Sequence, residues 1–168
     1  MWINEPAGVD ASKRLNMNSM EIAEARFRNG YSCSQSVFSA LAERWNIGPY
    51  VSLRVSAGFG GGIARSAGIC GCVTGGIMAL GLAQNEIDPE ANPSEKEKTY
   101  EVCQQFMRTF AERNGSTLCS ELLGCDISTP EGFAVHQQGV HRSRCTTLVR
   151  DAVEIVESLL IPIPGSTR

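Results

Sequence analysis

Residues 66–84 read SAGICGCVTGGIMALGLAQ, an uncharged stretch in which cysteines and glycines lead into small and apolar side chains. Its length approaches that of a membrane-spanning helix. Glycine, serine and cysteine outweigh leucine, however, and no aromatic or basic anchors flank the stretch. It therefore predicts a helix that begins near Cys70 and runs through the centre of a soluble protein, rather than a membrane span.

The chain on either side of this stretch also reads as helices. Apolar residues recur at helical spacing between turn-forming pairs such as Asn-Gly, Gly-Pro and Asp-Pro, and neither a strand pattern nor an internal repeat is found. The longest helix is expected over about 94–114 and the last over about 144–160. These runs predict an all-α fold: a single-domain helical bundle of about six to seven helices, several starting at a cysteine. The domain is expected to span residues 18–162, with a flexible arm over 1–17 and a tail over 163–168.

Composition limits the class of protein. The 168 residues are 42% hydrophobic and 20% charged, with a net charge of −3, as is usual for one globular domain. No Lys/Arg-rich block indicates a nucleic-acid partner, and the start lacks the basic-then-apolar pattern of a secretory signal. Seven cysteines are an odd number, in a chain large enough to fold without disulfides. We therefore expect a cytoplasmic, reducing location.

Four cysteines stand where a helix is expected to begin. Each follows a glycine-containing break and precedes a run with apolar helical spacing; they are Cys33, Cys70, Cys119 and Cys145. The N-terminus of a helix carries unpaired N–H groups and partial positive charge. A thiol placed there loses its proton more easily, and the thiolate is both the nucleophile and the metal ligand. These four cysteines are therefore the candidate catalytic and metal-binding residues.

The helical faces separate these four thiols from the others. All four share a face with apolar residues, so we expect them to converge near the core, with helix N–H groups aimed at them. Buried cysteine often serves only as a small hydrophobe, but its recurrence at four helix starts favours a functional cluster. Cys103 is expected in the core and Cys125 as a spare loop thiol. Cys72 is expected to point away from Cys70, because neighbours two apart on a helix do not face each other.

Basic residues surround the last of the four. His141 lies one helical turn before Cys145, and Arg142 and Arg144 flank the same thiol. Positive charge lowers a thiol pKa, so Cys145 is our candidate for the attacking thiol.

The surroundings of Cys70 suggest a second set of candidates. Arg65 can lower the pKa of Cys70 in the same way. Gly71 and Gly75 allow another helix, or a cofactor, to approach the backbone closely, which makes them candidate cofactor-binding residues. The glycine-rich segment 58–62 has neither a Gly-Lys-Ser/Thr ending nor a preceding strand, so a nucleotide site is not predicted.

Five blocks carry a resemblance to a known family. They read GYSCSQSV at 30–37, GFGGG at 58–62, CGCVTG at 70–75, GSTLCSELLG at 115–124 and CTTLV at 145–149. In this order they resemble the C_GCAxxG_C_C family of small bacterial and archaeal proteins.

The resemblance implies that the family cysteines are Cys33, Cys70, Cys119 and Cys145, and that they have a redox role. Cys72 departs from the pattern, since the family usually has alanine there. The family also looks related to the helical part of split-Soret cytochromes. This chain lacks Cys-x-x-Cys-His, so this likeness does not imply covalently bound haem here.

Three hypotheses follow for the function. The first is a redox protein with an unknown redox partner, in which the four cysteines hold an iron–sulfur cluster or cycle between dithiol and disulfide. The second is a non-catalytic module that binds zinc or another thiophilic metal through the same residues. The third is a helical interaction protein whose thiols only pack. Glycine-rich helix faces also favour a homo-oligomer, although nothing in the sequence fixes one.

Overall fold

A computed structural model describes residues 17–83 and 93–160. These residues form eight α-helices: α1 Ser19–Arg28, α2 Cys33–Ala42, α3 Pro49–Val55, α4 Gly71–Ala83, α5 Pro93–Asn114, α6 Cys119–Leu123, α7 Pro130–Gln137 and α8 Arg142–Leu160. Short 3-10 turns follow α2 and α3. No strand occurs within the described ranges, and the all-α prediction is confirmed. The number of helices exceeds the expected six to seven because the short runs α3, α6 and α7 each close at least one turn.

Hydrogen bonds local in sequence set the helix ends. Before α1, the Asn18 side chain accepts from the Glu21 N–H at 2.9 Å, and the Glu21 carboxylate accepts from the Asn18 N–H at 3.0 Å. Ser32 and Gln35 form the same reciprocal capping box before α2. Gly124 ends α6 in the left-handed conformation, with φ 67°. The chain therefore determines where α1, α2 and α6 begin or end.

Helix α2 lies at the centre of the bundle, in contact with α1, α3, α4 and α8. All its residues except Cys33 and Gln35 are buried. Its polar side chains are paired: the buried Ser34 hydroxyl donates to the Ser56 carbonyl at 2.9 Å, and the partly buried Gln35 amide donates to the Leu53 carbonyl at 2.9 Å. Because an unpaired buried polar group is costly, these bonds hold α2 in one position against α3.

Glycines let α4 lie directly against its neighbours. A Cβ atom at Gly71 would come within 2.9 Å of the Ser34 backbone nitrogen, and one at Gly75 within 2.9 Å of the Ser34 carbonyl oxygen. At Gly76 it would meet the Phe106 ring of α5 at 2.4 Å. The close approach that Gly71 and Gly75 permit is thus made by helix α2.

One main core joins α1, α2, α4, α5 and α8. Its largest fully buried side chains are Phe106, Phe110, Leu41, Leu80, Leu148 and Ile155. The last helix, α8, faces this core with Leu148, Val149, Ala152, Val153 and Val156, all of which are buried. A smaller cluster of Ala67, Cys119 and Ile127 packs beneath α6.

Parts of the predicted organisation fall outside the described residues. The arm expected over 1–17 is described only at Met17, and the tail expected over 163–168 is not described. Among the helices that are described, none is both long and apolar enough to cross a membrane.

The α2–α4 contact predicts opposite effects for two glycine substitutions on α4. Gly75→Ala should lower the free energy of unfolding by about 1–3 kcal/mol, because the added methyl group would push against the α2 backbone. Gly81→Ala is the matched control: nothing lies within 4 Å of a Cβ there, so the change should be neutral or add up to about 1 kcal/mol. Chemical denaturation of both variants measures the difference. Equal stability of the two variants would contradict the packing.

Candidate functional site

The four candidate cysteines lie near helix starts, although not all in the same way. Cys33 and Cys119 are the first residues of α2 and α6, and Cys70 immediately precedes α4. Helix α8 begins at Arg142 rather than at about Arg144, so Cys145 is its fourth residue. The Cys145 N–H accordingly donates to the His141 carbonyl at 2.9 Å.

A short backbone bridge places Cys70 beside Cys119. The Cys70 N–H donates to the Thr117 carbonyl at 2.8 Å, and the Cys119 N–H donates to the Gly68 carbonyl at 2.7 Å. An isolated antiparallel bridge between Ile69 and Leu118 lies between these bonds. The chain thus holds two of the four cysteines side by side across a long sequence separation.

Three of the four cysteines do not offer their own backbone N–H groups to the cluster. The backbone N–H groups of Cys70, Cys119 and Cys145 all donate to carbonyl oxygens. At Cys33 the residue's own backbone N–H contributes to lowering the pKa of the thiol. Stabilisation of a thiolate by a backbone N–H of these four residues is therefore found at Cys33.

Side-chain contacts bring the thiols together around Cys33. The thiols of Cys145 and Cys72 lie close enough to Cys33 to lower its pKa, and Cys70 lies close enough to Cys72 to raise the pKa of Cys72. Cys119 is close enough to Cys33 and Cys70 for their charges to act on it. The structure thus gathers all four candidate thiols; their redox or metal-binding role stays a prediction.

Cys72 belongs to this cluster, contrary to the expectation that it points away from Cys70. The helical rule for neighbours two apart applies only when both residues are helical. Cys70 lies just outside α4 and caps it, since its carbonyl accepts from the N–H groups of Val73 and Thr74. The Cys72 side chain, fully buried on the second residue of the helix, can therefore contact both Cys70 and Cys33.

Cys33 is the thiol that the surroundings favour as a thiolate. Hydrogen bonds from the Cys145 and Cys72 thiols hold the pKa of Cys33 well below its ordinary value, despite the opposing effect of burial. The residue's own N–H and the charge of His136 act in the same direction. A lowered pKa increases the fraction of nucleophilic thiolate at neutral pH.

Three thiols near Cys33 are held protonated. The hydrogen bond that Cys145 donates to Cys33 raises the pKa of Cys145, and burial adds to this effect. Burial first, and then contact with Cys33, raises the pKa of Cys72. Burial, reinforced by the charges of neighbouring thiols, raises the pKa of Cys119 to about 12. These pKa shifts favour Cys33 over Cys145 as the thiolate, and the identity of the attacking thiol stays a prediction.

The histidines contact different cysteines from the one expected. His141 lies 3.3 Å, from Nε2 to Sγ, from Cys125 and not against Cys145. His136 stacks on His141 with ring centroids 6.1 Å apart, and its charge acts on Cys33. Cys125 is thus part of the rim of the cluster rather than a spare thiol. The prediction that His141 acts on Cys145 assumed that both residues lie on one helix, but His141 precedes the first residue of α8.

The arginines expected to activate thiols are engaged elsewhere. Arg144 donates to the Asn114 carbonyl at 2.8 Å, and Arg142 donates to the carbonyl of Arg28. The Arg65 guanidinium lies over the Phe133 ring, 4.7 Å from its centroid. None of them is among the groups that shift the pKa of Cys33 or Cys145.

A cleft of about 650 Å³ connects the cluster to the surface. Cys33, Cys119 and Cys145 line it, and of these three only Cys33 is more than marginally exposed. Cys70 and Cys72 are buried and do not line it. A molecule that enters the cleft therefore meets Cys33 first.

One wall of the cleft is a backbone segment of unusual conformation. Five consecutive residues, 61–65, have φ between 49° and 73°, in the left-handed region, and Ala67 has φ 60°. This region is strained for residues other than glycine, above all for a β-branched residue such as Ile63. The segment is held by backbone bonds, including Ala64 N–H to the Gly58 carbonyl at 2.8 Å. Strain of this kind often accompanies a functional site, and the sequence signals only its glycines.

A resident metal ion is not confirmed by the described residues. Within the part of the chain that is described, no group of three or more His, Cys, Asp or Glu side chains is placed to hold one. We therefore derive no chemistry through an iron–sulfur cluster or zinc. The seventh cysteine, Cys103, packs against the main core on α5, as expected.

The fold and the site define a class: an all-helical protein with a cluster of cysteines, three of which line one cleft. The chain belongs to the family described as "Putative redox-active protein (C_GCAxxG_C_C)", whose model matches residues 31–159. An uncharacterized protein of Archaeoglobus fulgidus is similar to it, with 34% identity over 136 residues, which cover 77% of this chain and 84% of the relative. No solved structure matches the chain.

The contact between Cys33 and Cys145 predicts a shift in reactivity with pH. Cys145→Ala should raise the pKa of Cys33, because the thiolate loses its largest stabilising hydrogen bond. The midpoint of Cys33 alkylation should then move to higher pH, since the thiolate is the reactive form. Mass spectrometry of iodoacetamide-treated protein across a pH series measures it. Cys103→Ala is the control and should leave the midpoint unchanged; an unchanged midpoint in Cys145→Ala would contradict the contact.

The left-handed wall predicts that one glycine substitution is stabilising. Ile63 is 44% exposed and has φ 65°, so Ile63→Gly should relieve about 1 kcal/mol of backbone strain. The matched control is Val51→Gly, at a 51% exposed position within α3, which should destabilise by about 1 kcal/mol. Thermal and urea unfolding measure both. A loss of stability in both variants would show that residue 63 is unstrained.

Proposed function

We propose that this protein is a thiol–disulfide redox protein in which Cys33 attacks and Cys145 resolves. The observation that carries the proposal is the closeness of these two cysteines, which both line the cleft and act on each other's pKa. One partner is accessible and favoured as a thiolate, and the other is buried and protonated. This difference is what an attacking and a resolving thiol require. Membership of a family described as redox-active supports the proposal.

The first step uses the accessible thiolate. Cys33 Sγ attacks one sulfur of a substrate disulfide, the substrate S–S bond breaks, and one half leaves as a thiolate that takes a proton from solvent. The product is a mixed disulfide between Cys33 and the other half. The Cys145 thiol remains protonated during this step because its hydrogen bond to the Cys33 thiolate raises its pKa.

The second step becomes favourable only after the first. Once Cys33 is in a mixed disulfide its negative charge is gone, and with it the main cause of the raised pKa of Cys145. Cys145 then loses its proton to solvent and attacks Cys33 Sγ, which expels the second half as a thiolate. The substrate gains two electrons and the protein forms one Cys33–Cys145 disulfide. An external dithiol reductant returns the protein to its starting state.

The neighbouring thiols support this pair. Cys72 donates to Cys33 from the buried side and lowers the pKa of Cys33, while its own burial keeps it protonated. Cys72 therefore stabilises the attacking thiolate without competing for the substrate. The backbone bridge holds Cys70 beside Cys119. The charges of both residues act on Cys145.

The proposal predicts one specific disulfide. Oxidation of the reduced protein with a small neutral disulfide should link Cys33 to Cys145, as mapped by peptide mass spectrometry after alkylation of the remaining thiols. Cys33→Ser should abolish the reaction. Cys145→Ser should stop it at the mixed disulfide on Cys33, because the resolving sulfur is gone. Cys103→Ser, on α5, should behave as the unchanged protein does.

Two measurements separate the proposal from its alternatives. Protein purified without oxygen that carries stoichiometric iron and a visible charge-transfer band would replace it with the iron–sulfur version. Stoichiometric zinc would favour the metal-binding module. If replacing Cys33, Cys70, Cys119 and Cys145 together by alanine changes stability but no redox response, the interaction protein is the better account.

A further inference from the structure

The cleft above Cys33 has a distinct charge. Two arginines line it, Arg65 and Arg142, and no aspartate or glutamate belongs to the lining within the described residues. The whole chain carries a net charge of −3. The cleft therefore differs in sign from the protein as a whole, which favours anionic ligands and speeds their approach.

Neither guanidinium is neutralised by a carboxylate in the described part of the chain. Arg65 lies over the Phe133 ring, and Arg142 donates to the Arg28 carbonyl. Elsewhere arginines form ion pairs with carboxylates, as Arg44 does with Glu157 at 3.2 Å. A guanidinium has five N–H donors, so each arginine of the cleft keeps donors for a ligand.

Both arginines are exposed, and each has one contact within the protein that restricts it before any ligand binds. The Phe133 ring fixes the guanidinium of Arg65, whose backbone belongs to the left-handed wall. The bond from Arg142 joins the start of α8 to the end of α1. Groups fixed in advance lose little conformational entropy when they bind a ligand. A cleft of about 650 Å³ is also the size of a small-molecule site.

A third cleft residue has an unused hydrogen-bonding atom. Nδ1 of His136 is buried and has no hydrogen-bond partner among the described residues. His136 lines the same cleft as Cys33. An unpaired buried polar atom is costly, and a polar group of a bound molecule would satisfy it.

On the proposed thiol–disulfide function, we infer that the substrate is a low-molecular-weight anionic disulfide, formed from thiols that carry carboxylates. Arg65 and Arg142 bind its carboxylates and present its sulfur–sulfur bond to Cys33. The chemistry is the exchange described above: the substrate disulfide is reduced to two thiols, and Cys33 and Cys145 are oxidised to one disulfide. The arginines act on the approach and orientation of the substrate, since neither is among the groups that shift the pKa of Cys33.

Three disulfides that differ in charge test the inference. Glutathione disulfide is anionic, hydroxyethyl disulfide is neutral and cystamine is cationic. The rate at which each forms the Cys33–Cys145 disulfide is measured by quenched alkylation and mass spectrometry. Each rate is divided by the rate of the same disulfide with 2-mercaptoethanol, which removes differences in intrinsic reactivity. The normalised rates should fall from anionic to neutral to cationic, and the spread should shrink as salt is added.

Charge variants assign the preference to the two arginines. The double variant Arg65→Gln with Arg142→Gln should lower the normalised rate for glutathione disulfide about tenfold and leave hydroxyethyl disulfide nearly unchanged. The double lysine variant keeps the charge and should restore the preference. Arg44→Gln, which removes one charge outside the cleft, should have no effect on the ratio of the two rates.

The outcomes separate this inference from the proposed function. If all three disulfides oxidise the protein at equal normalised rates, or cystamine is fastest, the substrate class is wrong and the thiol–disulfide function stands. The same holds if the double glutamine variant lowers both rates equally, which indicates a structural effect. If none of the disulfides produces the Cys33–Cys145 bond, the function and the inference fail together.

Discussion

The site depends on the direct backbone contact between α2 and α4. Because Gly71 and Gly75 have no side chains, the start of α4 lies against Ser34 of α2. This contact places Cys72, on α4, against Cys33, on the first turn of α2. Side chains of ordinary size would separate the two helices and the sulfurs with them. The glycines therefore act on the chemistry through packing, and the hydrogen bonds of Ser34 and Gln35 keep α2 where the contact needs it.

Electrostatic interactions within the cluster then give chemically identical thiols different pKa values. Several thiols in a small buried volume cannot all ionise, since each negative charge raises the pKa of its neighbours. Cys33 receives the hydrogen bonds of Cys145 and Cys72, so the charge resides on Cys33 and the donors remain protonated. Cys33 also lines the cleft and is more exposed than Cys119 and Cys145. The thiol that is favoured as a thiolate is therefore also the one that a ligand can reach.

The sequence predicts the helices well because their signals are local: capping residues, turn pairs and apolar spacing lie within a few residues of each helix end. The four cysteines could be chosen for the same reason. The contacts of each thiol could not be predicted from the sequence, since they depend on segments that are distant along the chain. Cys72 joins the cluster because Cys70 lies outside the helix, and His141 faces Cys125 because α8 begins after it. The left-handed wall also escapes prediction, because Ile63, Ala64 and Arg65 are residues that rarely adopt such backbone angles.

The bridge between Ile69 and Leu118 has a consequence for the order of folding. It joins segments on either side of α4 and α5, so the chain must close a long loop before Cys70 and Cys119 can meet. Contacts of such high sequence separation form late, because the entropy of loop closure has to be offset first. Until then Cys70 and Cys119 of a newly made chain are apart and accessible. If the proposed disulfide between Cys33 and Cys145 is correct, an oxidant that meets the chain before it has folded can instead join other thiols.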